Sequence, residues 1–247
     1  MLLQWLIFAA ALGPQPGQVI RIASDATFPP FHYLDPASSA TGFDIELARL
    51  IAERAGLDPV VMVRPYDDLL PGLASGAHDL VAATQGVTPE REKLYLFTKP
   101  YFETCQAALV RVGPNEPSTL ADLAGRRVGA SGSGTAARAM NGIDGATHVS
   151  LADGRGISSL EKGAIDALIF DEYHAVQAAR ASHGRLRVLA KPVALESYAF
   201  VLPAGRDDLK LALDRALEEL EREGGVRELR TRFGVERDEE WPVEMGR

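Results

Sequence analysis

The sequence has little of several features that usually indicate a function. It contains one cysteine, Cys105, which cannot form an internal disulfide or a cysteine-based metal site. It has no long run of lysine and arginine, and its 34 acidic and 26 basic residues give a net charge of −8. Nucleic acid and anionic membrane surfaces are therefore poor partners. The five histidines lack metal-ligand spacing, and no Walker A motif or nucleophile elbow occurs, so we expect no metal and no cofactor.

Only one apolar run is long, and it lies at the beginning of the chain. Residues 2–12 are almost entirely apolar but are too few to span a bilayer, which takes about 20 residues. The run resembles the apolar part of an export signal, with small residues near a cleavage point, but no Lys or Arg precedes it. A buried first helix or a mistaken start codon is the alternative. We treat residues 1–17 as a signal-like segment and leave them out of the fold prediction.

Short apolar runs alternate with amphipathic segments along the rest of the chain. VIRIAS (19–24), VVMV (60–63), DLVAAT (79–84) and DALIF (166–170) are typical of buried strands. FDIELARLIAERAG (43–56) predicts a helix that places Phe43, Leu47, Leu50 and Ile51 on one face and ends at Gly56. Strands that alternate with helices predict an α/β protein with mainly parallel sheets covered by helices on both faces.

Two segments of the chain repeat one pattern. LASGAHDLVAAT (73–84) and LEKGAIDALIFD (160–171) both read L-x-x-G-x-x-D followed by an apolar strand. The pattern predicts a helix that ends at Gly, a turn that carries Asp79 or Asp166, and a buried strand. Chance or a generic turn could produce so short a match, but it also suggests two similar α/β lobes. Ligands of such lobes bind beyond the carboxyl ends of the strands, so we expect functional residues there.

The residues after these two strands differ in charge. Thr84, Gly86 and Arg91 follow the first strand, and Asp171 follows the second. If the two lobes face each other, the guanidinium of Arg91 lies opposite the carboxylate of Asp171. These two groups are complementary to a zwitterion that carries a carboxylate and an ammonium. Arg binds a carboxylate through two parallel hydrogen bonds, which Lys cannot do. The alternatives are a solvated surface charge for Arg91 and a helix N-cap for Asp171, and the latter is compatible with ligand binding.

At this point the sequence resembles the bacterial extracellular solute-binding proteins, family 3, over about residues 18–235. The resemblance rests on four stretches in order: IRIASDATFPPFHYL, TGFDIELARLIAERAG, SGAHDLVAATQGVTPEREKLYLFTKPYF and GAIDALIFDEYHAV. It implies a type II two-lobe periplasmic binding protein fold, with two crossover strands near residues 103–107 and 196–199. Lobe 1 would comprise residues 18–105 and 198–247, and lobe 2 residues 106–197.

The resemblance also implies roles for the residues that match the family's motifs. Arg91 binds the ligand's α-carboxylate, Asp171 accepts its α-ammonium, and Thr84 and Gly86 contact both groups. A loop of Ser133, Gly134 and Thr135 completes the carboxylate site. This loop is displaced by one residue from the commoner order, so whether Ser133 or Thr135 points at the ligand stays open. The same loop contains G-x-G-x-x-A, a weak dinucleotide fingerprint that anion binding at a helix N-terminus explains more simply.

Three further residues match the side-chain part of the family's site, and a fourth departs from it. Phe28 lies over the ligand side chain, Asp25 lies near its far end, and Leu69 forms an apolar wall. Core packing is the alternative for Phe28, and turn capping is the alternative for Asp25. Ala83 stands where a polar Ser or a Gly is usual, so one hydrogen bond is missing.

The resemblance implies a periplasmic monomer that is not an enzyme. It would capture a polar amino acid between its lobes and deliver it to an ABC permease in the inner membrane. Glutamine, lysine, arginine and histidine fit the Asp25–Phe28 pair. One alternative is a lyase similar to cyclohexadienyl dehydratase, with Glu172 as general acid. The other is an input module that acts through a partner membrane kinase.

Overall fold

The structure, a computed structural model, describes residues 15–131, 134–152 and 154–236. Most of the signal-like segment, Ser133 and the residues after 236 therefore lie outside the described residues. The chain forms two compact units. The first contains the described residues up to Tyr101 and those of Tyr198–Glu236, and the second contains Phe102–Ser197.

Strands and helices alternate through both units. The strands are β1 Val19–Ser24, β2 Thr27–Phe28, β3 His32–Leu34, β4 Ala40–Thr41, β5 Asp58–Val63, β6 Leu80–Val81, β7 Tyr95–Phe97, β8 Phe102–Arg111, β9 Arg127–Ser131, β10 Thr147–Leu151, β11 Ala167–Asp171, β12 Leu186–Val188, β13 Ala194–Tyr198 and β14 Val201–Pro203. The helices are α1 Phe43–Arg54, α2 Tyr66–Ser75, α3 Pro89–Glu92, α4 Thr135–Met140, α5 Gly156–Glu161, α6 Glu172–Ala181, α7 Asp207–Glu223 and α8 Gly225–Phe233. None of the helices within these residues is both long and apolar enough to cross a bilayer.

The sheets of both units are mixed, so the prediction of mainly parallel sheets was wrong. In the first unit the order is β5-β1-β6-β14-β7, with β1 parallel to β5 and β6 and with β14 antiparallel to β6 and β7. In the second unit β9 is parallel to β10 and β11, whereas β8 is antiparallel to β11 and β12. Parallel neighbours need a crossover connection, usually a helix. Strands that enter a sheet without one run in the opposite direction, which the alternating pattern did not reveal.

Helix α1 confirms most of the predicted apolar face. Phe43, Leu47 and Ile51 are fully buried, and Gly56 follows the helix with a φ of 78°, which suits a C-terminal glycine. Leu50 was wrongly included, because 36% of its surface is exposed. Successive residues of a helix are rotated by about 100° around its axis. Spacing alone therefore does not decide whether a residue at the edge of the apolar stripe is buried or exposed.

The second unit has apolar side chains on both faces of its sheet. Along β8, Ala108 and Val110 pack in one cluster, and Ala107 and Leu109 pack in another. Successive side chains of a strand point to opposite faces, so β8 lies between two buried layers. Cys105 is buried in the second cluster.

The repeated segments form the same turn in each unit, as the pattern predicts. Gly76 and Gly163 have φ values of 73° and 70°, in the left-handed region that glycine adopts readily. Asp79 accepts hydrogen bonds from the backbone N–H, Nε and Nη2 of Arg21, each at 2.9 Å. Asp166 accepts the same three from Arg127 at 2.9, 3.0 and 2.8 Å. An arginine at the start of one strand therefore fixes the turn before its neighbour in both units.

Candidate functional site

The strand end of the first unit carries a strained residue. Strand β6 ends at Val81, and Thr84 has a φ of +42°, which is unusual for a β-branched residue. Its N–H donates to Asp44 Oδ2 at 2.6 Å, and its Oγ1 lies 3.3 Å from His32 Nε2. Asp44 is fully buried at the start of α1. Two tertiary contacts therefore hold Thr84 in its strained conformation, a feature that clusters at functional sites.

Burial also affects a phenol beside this carboxylate. Tyr101 is almost fully buried. Burial, followed by the nearby charge of Asp44, raises the pKa of the Tyr101 hydroxyl well above its ordinary value of 10.0. The hydroxyl therefore stays protonated at neutral pH.

Arg91 is a buried cation that has no acidic partner among the described residues. Helix α3 begins after Thr88, whose hydroxyl caps it by accepting the Arg91 N–H at 3.3 Å. Only 8% of Arg91 is exposed. Its guanidinium donates to Gly86 O at 2.9 Å and contacts the Tyr66 hydroxyl at 3.4 Å. No carboxylate of the described residues lies within 4.0 Å of it.

Asp25 and Phe28 meet at a histidine that the sequence analysis missed. His32 Nδ1 lies 3.2 Å from Asp25 Oδ1, and the Thr27 hydroxyl donates to the other carboxylate oxygen of Asp25. The Phe28 ring stacks on the His32 ring at a centroid distance of 5.8 Å. Since Nε2 of His32 reaches Thr84, this histidine connects three of the predicted site residues.

The position of His32 follows from strand pairing. Phe28 of β2 lies opposite His32 of β3. The residues H-Y-L after the Pro-Pro pair could have indicated a short strand. The local sequence does not show, however, that this strand pairs with β2 and places His32 opposite Phe28. The contact of Asp25 with Thr27 matches the turn-capping alternative, and its role toward a ligand stays a prediction.

The remaining predicted residues of the first unit lie near the strand end or in the core. Gly86 is buried and forms an isolated antiparallel bridge with Tyr198. Leu69 is fully buried in an apolar cluster that also contains Leu73 and Ala83. Leu69 is therefore a core residue of this unit, and its role as an apolar wall toward a ligand stays a prediction. Ala83 lies in the same cluster, which explains why a small apolar residue fits there.

In the second unit, Gln106 joins the loop and the strand end. Gly134 is the N-cap of α4, and the Thr135 hydroxyl accepts a hydrogen bond from Gln106 Nε2 at 3.3 Å. Gln106 lies directly opposite Asp171 in the antiparallel pair of β8 and β11. Side chains of such opposed residues lie on the same face of a sheet. Because Ser133 is outside the described residues, the choice between Ser133 and Thr135 stays open.

Asp171 and Glu172 point to different partners. Asp171 is 5% exposed and caps α6 by accepting the Tyr173 N–H at 3.1 Å, which confirms the expected cap. His174 Nδ1 lies 3.6 Å from the same carboxylate. Glu172 is 7% exposed and accepts a hydrogen bond from the Thr104 hydroxyl at 3.4 Å. The ammonium-binding role of Asp171 stays a prediction.

The charged groups near the two strand ends differ within the described residues. The first unit has the guanidinium of Arg91 as well as the carboxylates of Asp25 and Asp44. The second unit has three largely buried carboxylates, those of Asp171, Glu172 and Glu196. A guanidinium suits an anionic group, and carboxylates suit hydrogen-bond donors or cations. No group of three or more His, Cys, Asp or Glu side chains in the described part of the chain is arranged to hold a metal.

Comparisons with known proteins identify the family. Residues 20–236 match the model of the bacterial extracellular solute-binding proteins, family 3. The L-cystine-binding protein TcyJ of Escherichia coli is 28% identical over 88% of this chain and 83% of its own length. The amino-acid-binding protein AabA of Dichelobacter nodosus is 30% identical over 80% of each chain.

A solved structure of an amino-acid-binding protein is also similar to this chain. The arginine-, lysine-, histidine-binding protein ArtJ of Geobacillus stearothermophilus is 27% identical, with a TM-score of 0.78 over 90% of this chain and 97% of its own. Such neighbours are periplasmic amino-acid-binding proteins with the two-lobe fold, which confirms the predicted fold class. The chain therefore belongs to the bacterial extracellular solute-binding proteins, family 3.

Proposed function

We propose that this protein binds a polar amino acid in the periplasm and, as a monomer, delivers it to an ABC permease in the inner membrane. Membership of an extracellular solute-binding family supports an exported location. The names of TcyJ, AabA and ArtJ support an amino acid as ligand. We take the two compact units as the two lobes of the family's fold.

The observation that carries this proposal is the buried guanidinium of Arg91. A buried charge is costly unless it is paired, and the described residues supply only neutral oxygens to Arg91. A ligand carboxylate would supply the missing anion through two charge-assisted hydrogen bonds. Thr88 and the backbone of Gly86 hold α3 and the guanidinium in place, so the group is oriented before the ligand arrives.

The roles of the other residues follow from the same proposal. Asp171 accepts hydrogen bonds from the ligand's α-ammonium, because it is a largely buried carboxylate at the strand end of the second unit. Thr84 contacts the ligand through its hydroxyl or carbonyl group, and Phe28 packs on the ligand's side chain. Asp25 lies near the far end of that side chain, and Gly134 and Thr135 bind near the carboxylate. Leu69 contributes indirectly, as part of the core beneath the site.

The class of ligand is an amino acid whose side chain offers hydrogen-bond donors. The carboxylates of Asp171, Glu172 and Glu196 disfavour an acidic side chain, because like charges in a poorly solvated site repel each other strongly. Glutamine, lysine, arginine and histidine fit this requirement. Binding of only acidic or purely aliphatic amino acids would contradict the role of Asp25.

Calorimetric titration against the twenty amino acids and L-cystine tests the proposal. We expect the purified protein to bind at least one polar amino acid. Arg91→Ala should weaken that binding at least about 30-fold, which corresponds to about 2 kcal/mol, because the ligand carboxylate loses its ionic partner. Arg215, an exposed arginine of α7, provides the matched control, and Arg215→Ala should bind like the unaltered protein. Equal binding by the Arg91 variant would overturn the proposal.

The same preparation addresses the lyase alternative. Glu172 contacts the Thr104 hydroxyl and Asp171 caps α6, so each of the two acids has a structural contact of its own. We therefore propose a protein that binds without turnover. Incubation with prephenate or arogenate should give no product, and product formation that Glu172→Gln abolishes would establish the enzyme instead.

A further inference from the structure

One buried side chain of the second unit lies among the proposed ligand residues without a role. Gln106 is 4% exposed, a value similar to those of Arg91 and Asp171. It lies opposite Asp171 across the β8–β11 pair, and its Nε2 contacts the hydroxyl of Thr135. Gln106 therefore adjoins two of the residues of this unit that are proposed to bind the ligand, Asp171 and Thr135.

The orientation of the Gln106 amide is fixed by a carboxylate. Nε2 donates to Glu196 Oε2 at 2.6 Å, and its other contact is the Thr135 oxygen at 3.3 Å. A flipped amide would put its carbonyl oxygen 2.6 Å from a carboxylate oxygen that can only accept when ionised. The nitrogen must therefore face Glu196.

This orientation leaves the amide oxygen as a buried acceptor. Oε1 of Gln106 accepts no hydrogen bond from the described residues. The backbone carbonyl of Gln106, by contrast, accepts the Val193 N–H at 2.8 Å. Buried acceptors are nearly always paired, so the side-chain oxygen requires a donor from outside the described chain.

We propose that Gln106 is a ligand-binding residue whose Oε1 accepts a hydrogen bond from an N–H group of the bound amino acid. This inference rests on the proposed function and narrows it. The neighbouring oxygens of Asp171 and Glu196 are acceptors, so the ligand group at this edge is a donor and not a carboxylate. The donor is either the α-ammonium or a side-chain N–H, and Gln106 discriminates against ligands that lack it.

Titrations of Gln106→Met test the proposal, because methionine has a similar volume and no amide. The probes are L-arginine, L-lysine, L-histidine and L-glutamine, restricted to those that bind the unaltered protein. We expect about a tenfold loss of affinity, because a hydrogen bond to a charged or buried donor is removed. Two analogues of L-arginine identify the donor: 5-guanidinopentanoic acid lacks the α-ammonium, and L-norvaline lacks the guanidinium.

The analogues also separate ligand contact from a structural role. If Oε1 binds the α-ammonium, the variant should lose no affinity for 5-guanidinopentanoic acid. If it binds a side-chain donor, the variant should lose none for L-norvaline. An equal loss for L-arginine and both analogues indicates a distorted site and overturns the proposal, as does unchanged affinity for all probes.

A second variant keeps the proposal testable if Gln106→Met does not fold. The exchange Gln106→Glu with Glu196→Gln preserves the hydrogen bond between the two side chains with reversed polarity and leaves an acceptor at position 106. Its affinity for the probes should equal or exceed that of the unaltered protein, and a tenfold loss would contradict the proposal. If the unaltered protein binds no amino acid, the proposed function itself fails; if Arg91→Ala abolishes binding and Gln106→Met leaves it intact, only the role of Gln106 fails.

Discussion

The two units share one arrangement at the beginning of their central strands and differ at the end. Arg21 and Asp79 in the first unit repeat the contacts of Arg127 and Asp166 in the second, atom by atom. At the last position of the repeated segments, however, Thr84 stands where the second unit has Asp171. The comparison indicates that the ion pairs stabilise a common turn in both units, whereas the units differ in the residues after the strands, which are the residues of our proposed ligand site.

The backbone differs at that same position. Thr84 has a φ of +42° and leads into the turn before Gly86, whereas Asp171 has a φ of −55° and begins α6. The first unit therefore continues to the buried cation of Arg91, and the second continues into a helix capped by a carboxylate. Two similar frames therefore differ in the charged group that follows the strand.

The largest expected effect concerns the charge of Asp171. Asp171→Ser keeps a favoured N-cap residue but removes the carboxylate, so we expect about a 30-fold loss of amino-acid affinity with little loss of stability. Asp171→Ala should lose the same affinity and also about 1 kcal/mol of unfolding free energy, because the cap is lost. Calorimetry and thermal unfolding separate the two effects. If Asp171→Ser keeps the affinity and only Asp171→Ala loses it, Asp171 has only a structural role.

The next effect concerns the stability that the ion pairs Arg127–Asp166 and Arg21–Asp79 contribute. Hydrogen bonds from Arg127 lower the pKa of the Asp166 carboxyl from 3.8 to about 2, despite the opposing effect of burial. Arg111 adds a further contact to Asp166 at 3.4 Å. Asp166→Asn should therefore cost about 2 kcal/mol of unfolding free energy at pH 7. The stabilisation is present above the unfolded pKa of 3.8, so it should decline as the pH falls from about 4 to 2.

Asp79→Asn is the matched variant of the first unit. Burial acts to raise the pKa of the Asp79 carboxyl, but hydrogen bonds from Arg21 outweigh it and lower the pKa. Asp79 has no counterpart of Arg111 among the described residues, so we expect a smaller cost, about 1 kcal/mol. Hydrogen exchange of the amides of β1 and β9 should localise each loss to its own unit. Equal costs would show that Arg111 adds nothing.

The smallest effect tests the strain at Thr84. Thr84→Ala removes the contact with His32 and keeps a side chain at an unfavourable φ. Thr84→Gly also removes the contact, but glycine adopts this φ without strain. We expect the glycine variant to be about 1 kcal/mol more stable than the alanine variant, the reverse of the usual order. Gln177, an exposed residue of α6, is the control position, where alanine should be the more stable. Urea unfolding measures both pairs, and the usual order at Thr84 would exclude strain there.

Much of the local structure was predictable because consecutive residues carry it. The bounds of β1 agree with the apolar run 19–24, and the repeated L-x-x-G-x-x-D segments form the predicted turns. The cap role of Asp171 was also predictable, since Asp at the start of a helix is favoured. These features depend on local spacing and on the conformational preferences of single residues.

Contacts between distant residues were not predictable in the same way. His32 lies 52 residues before Thr84, and Gln106 lies 90 residues before Glu196, so no local pattern joins them. Leu69 and Leu50 show the same limit for burial: spacing identified apolar faces, but neighbouring elements decided that Leu69 is enclosed and Leu50 is not.

The sequence by itself determined the alternation of strands and helices, the repeat of two α/β frames, and the presence of one arginine and one aspartate after corresponding strands. Only the tertiary structure decided that Arg91 is buried with neutral partners and that the Gln106 amide faces Glu196. The physical reason is that periodicity and turn chemistry depend on neighbours in the chain. Desolvation and hydrogen-bond satisfaction, in contrast, depend on which distant groups the folded chain brings together.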